Sequence, residues 1–432
     1  MEEQKLKEEK TSKRISYIIL GISFLIVIIG VVLLLTNNGP KKKNGEYKPD
    51  DPKQQNDVKV DGITYSILKL ETNKNNLVYS PLSIKYALSM LKEGAVGDTK
   101  KEIEEVLTDA KLTKYEDIDK VLSLANSVFI RDTFKEYVLS DYTNKVKTDY
   151  NAEIVYDEFN SAENVNKWIE EKTFGLIKNM LKDEQVQNAD VEMLLINALA
   201  IDMQWNYEFA PDNTNSRPFT KENGEKIDVA MMHMVTETKG IKYYQDDDYT
   251  EVVLPFRDYN GTQLEFLALM PNEKDLNEMI LSDGSEKTIQ NLVSKVEIPA
   301  DNVELSISLP RFDYDYKASL KNDLYTMGIK TAFSSAADFS KIASSPLQVD
   351  DVLHKATIKC TEKGVKAAAA TVIIMKDNAA IMDPMEKTTV YLNFNKPFMY
   401  IIRDVKTEEI WFVGTVYEPI LWESVKKDYN YQ

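Results

Sequence analysis

Gly364 to Thr389 reads GVKAAAATVIIMKDNAAIMDPMEKTT, and the reading of this stretch decides the fold. It joins a strand predicted to end near Glu362 to one predicted to begin near Val390. About 25 residues between strands is far beyond the usual connection, and loops of that length are typically functional or disordered. Gly364 offers a pivot, the residues after it are small or β-branched, and no proline interrupts the chain until Pro384. The first half therefore suits both an exposed loop and a strand. As a strand, it would place Val365, Ala367, Ala369, Thr371, Ile373 and Met375 on one face, all small or apolar. Lys366, Ala368, Ala370, Val372, Ile374 and Lys376 would share the other face, with two charges. A strand that slots between two others in a finished sheet must have small side chains where it first inserts, and alanine supplies them. Composition alone also fits an Ala-rich helix or an unstructured linker.

Outward from this loop the chain mixes helix and strand signals without a repeating βαβ rhythm, which points to an α+β fold. Ser80 and Pro81 form a good helix start, with Leu82, Tyr86, Ala87, Met90 and Leu91 as a core-facing stripe that ends at Gly94. Val165 to Met180 reads as a helix broken at Gly175, and Glu192 to Trp205 as a long apolar run suited to a central strand. Val303 to Leu309 alternates, Ser319 to Gly328 is amphipathic, and Val390 to Tyr400 and Glu409 to Val416 carry aromatic and β-branched residues between turn signals.

The 432 residues are 43% hydrophobic and 28% charged, so most of the chain is globular. A formal net charge of −17 argues against nucleic acid as a partner. Cys360 is the only cysteine, which excludes an intramolecular disulfide and a cysteine metal cluster. The two histidines, His233 and His354, leave little material for a catalytic triad or a zinc site.

Residues 1–14 form a short charged tail, and Ile15 to Leu35 then runs for 21 residues without a charge. That is long enough to span a ~30 Å hydrocarbon layer at ~1.5 Å per residue, and it is expected to be a single transmembrane anchor. No small-x-small cleavage site follows before Thr36, Asn37 and Asn38, which sets it apart from a signal peptide. Lys5, Lys7, Lys10, Lys13 and Arg14 precede the span and Lys41, Lys42 and Lys43 follow it, a bias toward a cytoplasmic N terminus with the folded part outside the cell. Residues 36–57 are rich in Gly, Pro, Lys and Asp and read as a disordered linker, so the folded domain is expected over residues 58–432.

The C-terminal third resembles the serpin family. LHKATIKCTEKGVKAAAAT, Leu353 to Thr371, resembles the family's hinge region, and FNKPFMYIIRD with WFVGTVYEP, between Phe394 and Pro419, resembles its terminal signature. Asn76 to Ile103, Trp168 to Ile177, Leu194 to Trp205 and Leu309 to Ser340 each resemble a serpin block in the expected order.

The resemblance implies a serpin fold, with a large, mainly antiparallel central sheet, flanking helices and an exposed reactive-centre loop. It also implies a metastable monomer that needs no cofactor or metal. A serine or cysteine peptidase attacks the loop as substrate, and the cleaved loop inserts as a new strand before the acyl-enzyme is hydrolysed. Such a protein is an inhibitor and not an enzyme. Glu362 and Gly364 match the acidic and glycine positions of the family's hinge, and Ala367, Ala368, Ala369 and Ala370 match its small-residue run. Val365 stands where Thr or Ser is usual and Lys366 where Glu is usual. Ser80, Ser83, Asn197 and His354 fall on the shutter, and Trp205 on the breach where the loop first inserts.

The family's usual spacing from the hinge acid places the reactive bond between Asn378 and Ala379. The interval from Glu362 to Phe394 is 32 residues, several more than usual, so Met375, Lys376, Met382 and Lys387 stand as alternatives. Asparagine would suit an asparagine-directed cysteine peptidase, lysine a trypsin-like enzyme, and Met375 or Ile374 an enzyme of subtilisin or elastase type. A non-inhibitory carrier, chaperone or adhesion module is the second reading, against which the alanine run argues. A membrane-bound hydrolase built on His354 is the third, but it lacks a nucleophile elbow. Asn260-Gly261-Thr262 fits a glycosylation acceptor.

Overall fold

A computed structural model describes residues 62–108, 112–365 and 387–429. The anchor expected at Ile15–Leu35, the linker and most of the reactive-centre loop lie outside these residues. No described helix is long and apolar enough to cross a membrane.

The first half of the chain forms α1 (Ile63–Glu71), β1 (Leu77–Tyr79), α2 (Pro81–Gly94), α3 (Gly97–Leu107), β2 (Leu122–Arg131), α4 (Ser140–Tyr150), β3 (Ala152–Asp157), α5 (Glu163–Lys172), α6 (Asp183–Gln187), β4 (Met193–Ile201) and β5 (Met203–Gln204). There follow β6 (Asn215–Thr220), β7 (Lys226–Thr236), β8 (Lys242–Gln245), β9 (Tyr249–Pro255), β10 (Leu264–Pro271), α7 (Leu276–Leu281), α8 (Ser285–Lys295), β11 (Val303–Pro310), β12 (Phe312–Ser319) and α9 (Lys321–Thr326). The C-terminal part adds β13 (Leu353–Thr361), β14 (Gly364–Val365), β15 (Thr388–Asn393), β16 (Phe398–Asp404), β17 (Ile410–Val416) and α10 (Trp422–Tyr429).

Helix α2 starts as its sequence predicts. The Ser80 hydroxyl accepts from the Ser83 amide and Pro81 occupies the first turn, so one orphan donor is satisfied and another is absent. Helix α5 stops at Lys172, beside the break predicted at Gly175, and does not resume to Met180. The cause is local: the Thr173 hydroxyl turns back to the Ile169 carbonyl, and Phe174 and Gly175 take left-handed backbone angles, φ 54° and 75°, which end a helix. The stretch from Val390 to Tyr400, predicted as one strand, divides into β15 and β16 around Phe394–Pro397, where proline cannot donate to a ladder.

Strands β1-β17-β16-β10-β9-β8 form a six-stranded antiparallel sheet. Its side chains alternate between two cores. Leu267, Leu269, Ile401 and Val413 face the helices, including α1, α2 and α7. Phe266, Ala268, Tyr400 and Ile402 face the other way, where Phe266 stacks on Tyr400 at 5.3 Å. A second sheet, β15-β11-β7-β6, has β15 parallel to β11 and the other pairs antiparallel.

The remaining strands make two banks. One is β3-β2-β4, with β3 parallel and β4 antiparallel to β2. The other, β12-β13, is joined through β14 to β5, the continuation of β4 beyond Asp202. The expected large central sheet is thus present as a sheet split along part of its length.

Candidate functional site

The split is widest in meaning where it is narrowest in structure. β14 is only Gly364 and Val365, yet it pairs antiparallel on both sides, with Thr361 and Cys360 of β13 and with Gln204 and Met203 of β5. Strands β5 and β13 therefore run parallel to each other, one strand apart. Val365 is 3% exposed between Cys360 and Met203, both fully buried. The compact β-branched side chain fits this site although Thr or Ser is usual there.

Gly364 is required by close approach. It holds φ +155°, and a Cβ there would lie 2.1 Å from the Met203 carbonyl oxygen and 2.7 Å from the Gln204 Cα. No side-chain carbon tolerates that distance from a backbone on the opposite strand.

Around this wedge the chain is held by buried hydrogen bonds. The Trp205 indole donates to the Thr361 carbonyl at 2.9 Å and its amide to the Lys363 carbonyl at 2.8 Å. The ring stacks on Phe256 at 4.6 Å. Glu362, the expected hinge acid, is 7% exposed. It accepts from the Thr214 hydroxyl at 2.7 Å and lies 3.9 Å from the Arg311 guanidinium, as a buried carboxylate must find donors.

Beyond Val365 no ladder joins β4 to β13 among the described residues. Two cavities lie along the gap instead. One of about 300 Å³ is lined by Val365, Leu199, Ile201, Ile358 and Ile177. The next, about 420 Å³, is lined by Ser83, Ile84, Leu195, Asn197, Phe339 and His354. Among the described residues the arrangement is a slot: two parallel strand edges, mostly apolar walls, and a mouth occupied by β14.

Three of the four residues predicted for the shutter, Ser83, Asn197 and His354, line the second cavity, and Ser80 adjoins it through His354. His354 is 6% exposed and accepts from the Ser80 amide through Nε2 at 3.1 Å, which assigns the ring proton to Nδ1. Burial pushes its pKa down to about 4, so the ring is neutral. The Ser80 hydroxyl caps Ser83 and does not meet the imidazole, so no nucleophile-base pair of the kind a hydrolase needs is formed here. Asn197 donates to Asn126 Oδ1 at 2.7 Å, and Asn126 donates to the Tyr150 carbonyl at 2.8 Å. The Asn197 Oδ1 is buried without a hydrogen-bond partner among the described residues.

Asn126, Thr214 and Arg311 belong to this site but were not anticipated. The legible signal for Asn126 is a polar residue inside the apolar run LSLANSVFIR; Thr214 and Arg311 carry none, because their partner Glu362 is distant in sequence. Of the residues predicted around the reactive bond, Ala367 to Ala370, Met375, Lys376, Asn378, Ala379 and Met382 lie outside the described residues. Lys387 is described, and its ammonium pairs with Glu237.

Residues 63–419 match the family model described as Serpin (serine protease inhibitor). The chain is 28% identical over 440 residues to an uncharacterized serpin-like protein of Thermococcus kodakarensis, covering 93% of this chain and 98% of that one. It is 30% identical over 370 residues to another of Methanosarcina acetivorans, covering 80% and 82%. Among solved structures, the native state of the thermophilic serpin Tengpin aligns with a TM-score of 0.68 at 28% identity, over 82% of this chain and 92% of that one. With a family match across most of its length and a split sheet wedged by a glycine hinge, this chain belongs to the serpin family.

Proposed function

We propose that this serpin is a suicide-substrate inhibitor of a serine or cysteine peptidase, with the segment between β14 and β15 as bait. The observation that carries the reading is β14: the first two residues of the loop are already paired on both sides at the mouth of a slot that continues beyond them. Continued without a bulge, that register would set Ala369 level with Ala356 and Leu199, and Thr371 level with His354 and Asn197. The small inward face then meets a narrow channel, and the Thr371 hydroxyl reaches the acceptor that Asn197 leaves unpartnered.

The peptidase nucleophile would attack the scissile carbonyl and form an ester or thioester while the new amine leaves with the C-terminal part of the loop. The freed N-terminal part then adds to both strand edges. Each ladder bond is worth about 1 kcal/mol net, so an added strand of ten residues supplies on the order of 10 kcal/mol. That is comparable with the whole stability of an ordinary domain. It is enough to drag and distort the attached peptidase if insertion outruns deacylation.

Asn378–Ala379 is the bond favoured by family spacing, with Met375, Lys376 and Met382 as alternatives. Lys387 fits least, because Thr388 already donates to the Asn302 carbonyl and a peptidase cleft needs extended chain on both sides of the bond. In the same reading Ile15–Leu35 anchors the chain in a cell membrane and residues 36–57 space the inhibitor outside it, against extracellular peptidases.

The test mixes the full chain with trypsin-like, subtilisin-like, elastase-like and asparagine-directed peptidases. An SDS-stable covalent complex with at least one is expected, and sequencing the released fragment fixes the bond. If every peptidase cleaves the loop and stays active, the inhibitory reading fails. Loss of the serpin domain from intact cells on external proteolysis tests the anchor.

A further inference from the structure

The turn between β6 and β7 carries an acid into the interior. Glu222 lies in that turn with its side chain 8% exposed, and both carboxylate oxygens are buried without a hydrogen-bond partner among the described residues. Its ion-pair partner is the Lys74 ammonium, 3.5 Å from Oε1 on a side chain that is 55% exposed. A buried carboxylate ordinarily gathers several donors, and one half-solvated ammonium at that distance does not replace them.

A second unpaired group faces the first. Tyr417 follows β17 and is 3% exposed, and its hydroxyl also has no partner among the described residues. Burial, and then the Glu222 charge, pushes its pKa up, so the phenol presents a neutral oxygen to the carboxylate. Its place is fixed from the main chain, where the Asn76 Oδ1 accepts from the amides of Tyr417 and Glu418 at 2.8 and 2.9 Å. The Thr72 hydroxyl, at the C-cap of α1, lies beside the phenol and donates to the Asn277 Oδ1 of α7 at 2.9 Å. Asp275, one residue before α7, adds a further negative charge felt at the phenol.

The end of α1, the β6–β7 turn, the start of α7 and the chain after β17 thus turn oxygen atoms toward one place. Carboxylate, hydroxyl and amide oxygens are the ligands of a hard cation, whereas zinc and copper favour imidazole and thiolate. An irregular set suits calcium, which takes about six to eight oxygens in flexible geometry with water completing the shell, better than magnesium, which demands a near-ideal octahedron.

We infer that Glu222, Tyr417, Thr72 and Asn277, with Asp275 beside them, form a calcium-binding site in which the Lys74 ammonium holds the place of the ion and swings into solvent when calcium binds. Lys74 is already half exposed, and it brings one positive charge where the ion brings two. Bound calcium would tie the four segments together and stabilise the fold by mass action. The site is independent of the loop and of its insertion.

The test strips the full chain with a chelator and titrates it with terbium, a calcium mimic whose emission a neighbouring tyrosine sensitises. Emission excited in the tyrosine band should saturate, and calcium should displace it with a Kd on the order of 10⁻⁴–10⁻³ M, the range of weakly charged sites. Calcium at ~10 mM should raise the unfolding temperature by roughly 1–3 °C, and magnesium should not. Glu222→Gln should weaken calcium binding at least roughly tenfold, and Tyr417→Phe should remove most of the displaceable emission. Lys74→Ala takes away the competing ammonium and should tighten calcium binding roughly two- to fivefold.

Calcium-displaceable emission that survives Glu222→Gln or Tyr417→Phe overturns the inference, as does calcium binding that is unchanged or weaker in Lys74→Ala. A loss of stability in Glu222→Gln that is equal with and without calcium makes the carboxylate structural only and overturns it too. If Glu222→Gln does not fold, the Lys74→Ala titration decides.

Discussion

At the mouth of the slot, Val365 sits between Cys360 and Met203 with main-chain partners on both sides, whereas at the far end Asn197 and His354 line a cavity and one amide oxygen has no partner among the described residues. The mouth is specified by backbone approach, which tolerates only glycine at one position. The far end is specified by side-chain polarity, a neutral histidine and an asparagine pair. Backbone contacts of the first kind are all-or-none; polar contacts of the second kind can be weakened by degrees. The two ends should therefore fail differently.

The largest effect is expected from Gly364→Val. Its side chain meets the Met203 carbonyl, so β14 is expelled, and covalent complex should fall more than roughly tenfold on denaturing gels. Cys360 reports the same event. Burial pushes its thiol pKa up and keeps it inert, and alkylation should accelerate once the wedge leaves. An unchanged alkylation rate would contradict the double pairing of β14.

The far end should show itself through pH. His354 is held to about 4 in the fold, against ~6.5 in an unfolded chain. A base with a depressed pKa contributes stability that is present above pH ~6.5 and lost as pH falls toward about 4, because the unfolded chain takes up the proton first. The loss reaches about 3 kcal/mol. Glu251 acts in the opposite sense, since burial raises it to about 8 and favours the fold toward acid. The histidine contribution is therefore read as the difference between urea curves of the unmodified chain and His354→Gln from pH 4 to 7. A difference that does not vary with pH would remove the neutral imidazole from the account.

Thr214→Val comes next. It deprives the buried Glu362 carboxylate of its 2.7 Å donor and should cost about 2 kcal/mol in urea unfolding, with faster Cys360 alkylation placing the damage at the mouth. The smallest effect is expected from Lys366→Glu. In an inserted strand, alternation would set this residue on the face opposite to that of Val365, so complex formation should change less than about twofold. A larger change would mean that the outward face of the strand is read more closely than its alternation implies.

The sequence makes the mouth more legible than the far end. The alternation of the loop already assigns Val365 to the apolar face, and the Ser80-Pro81 start of α2 follows from capping chemistry alone. The slot itself is invisible there, because a gap between β4 and β13 depends on strands more than a hundred residues apart failing to pair. The break at Gly175 is legible, but the helix is expected to resume to Met180 because its apolar spacing continues, whereas the chain leaves the helix for good once Phe174 and Gly175 take left-handed backbone. With that misreading, the segment whose carbonyls Arg131, Lys317 and Lys355 bond passes for helix surface. The reactive bond stays open between Asn378 and its alternatives because peptidase preference is written in the partner's pocket as much as in the loop.

A two-residue β14 would also change the kinetics of the proposed insertion. Closing a long loop onto a distant edge ordinarily demands an entropically costly first contact, but here the first pairs on both edges exist before any bond is cut. Under the proposed mechanism insertion would resemble propagation from a preformed nucleus, residue by residue from Val365. At the mouth both edges are taken by the chain's own Gly364 and Val365, so a loop from a second molecule would have to displace them to begin there. The two residues that would start insertion would thus also hinder exchange of loops between copies at that point.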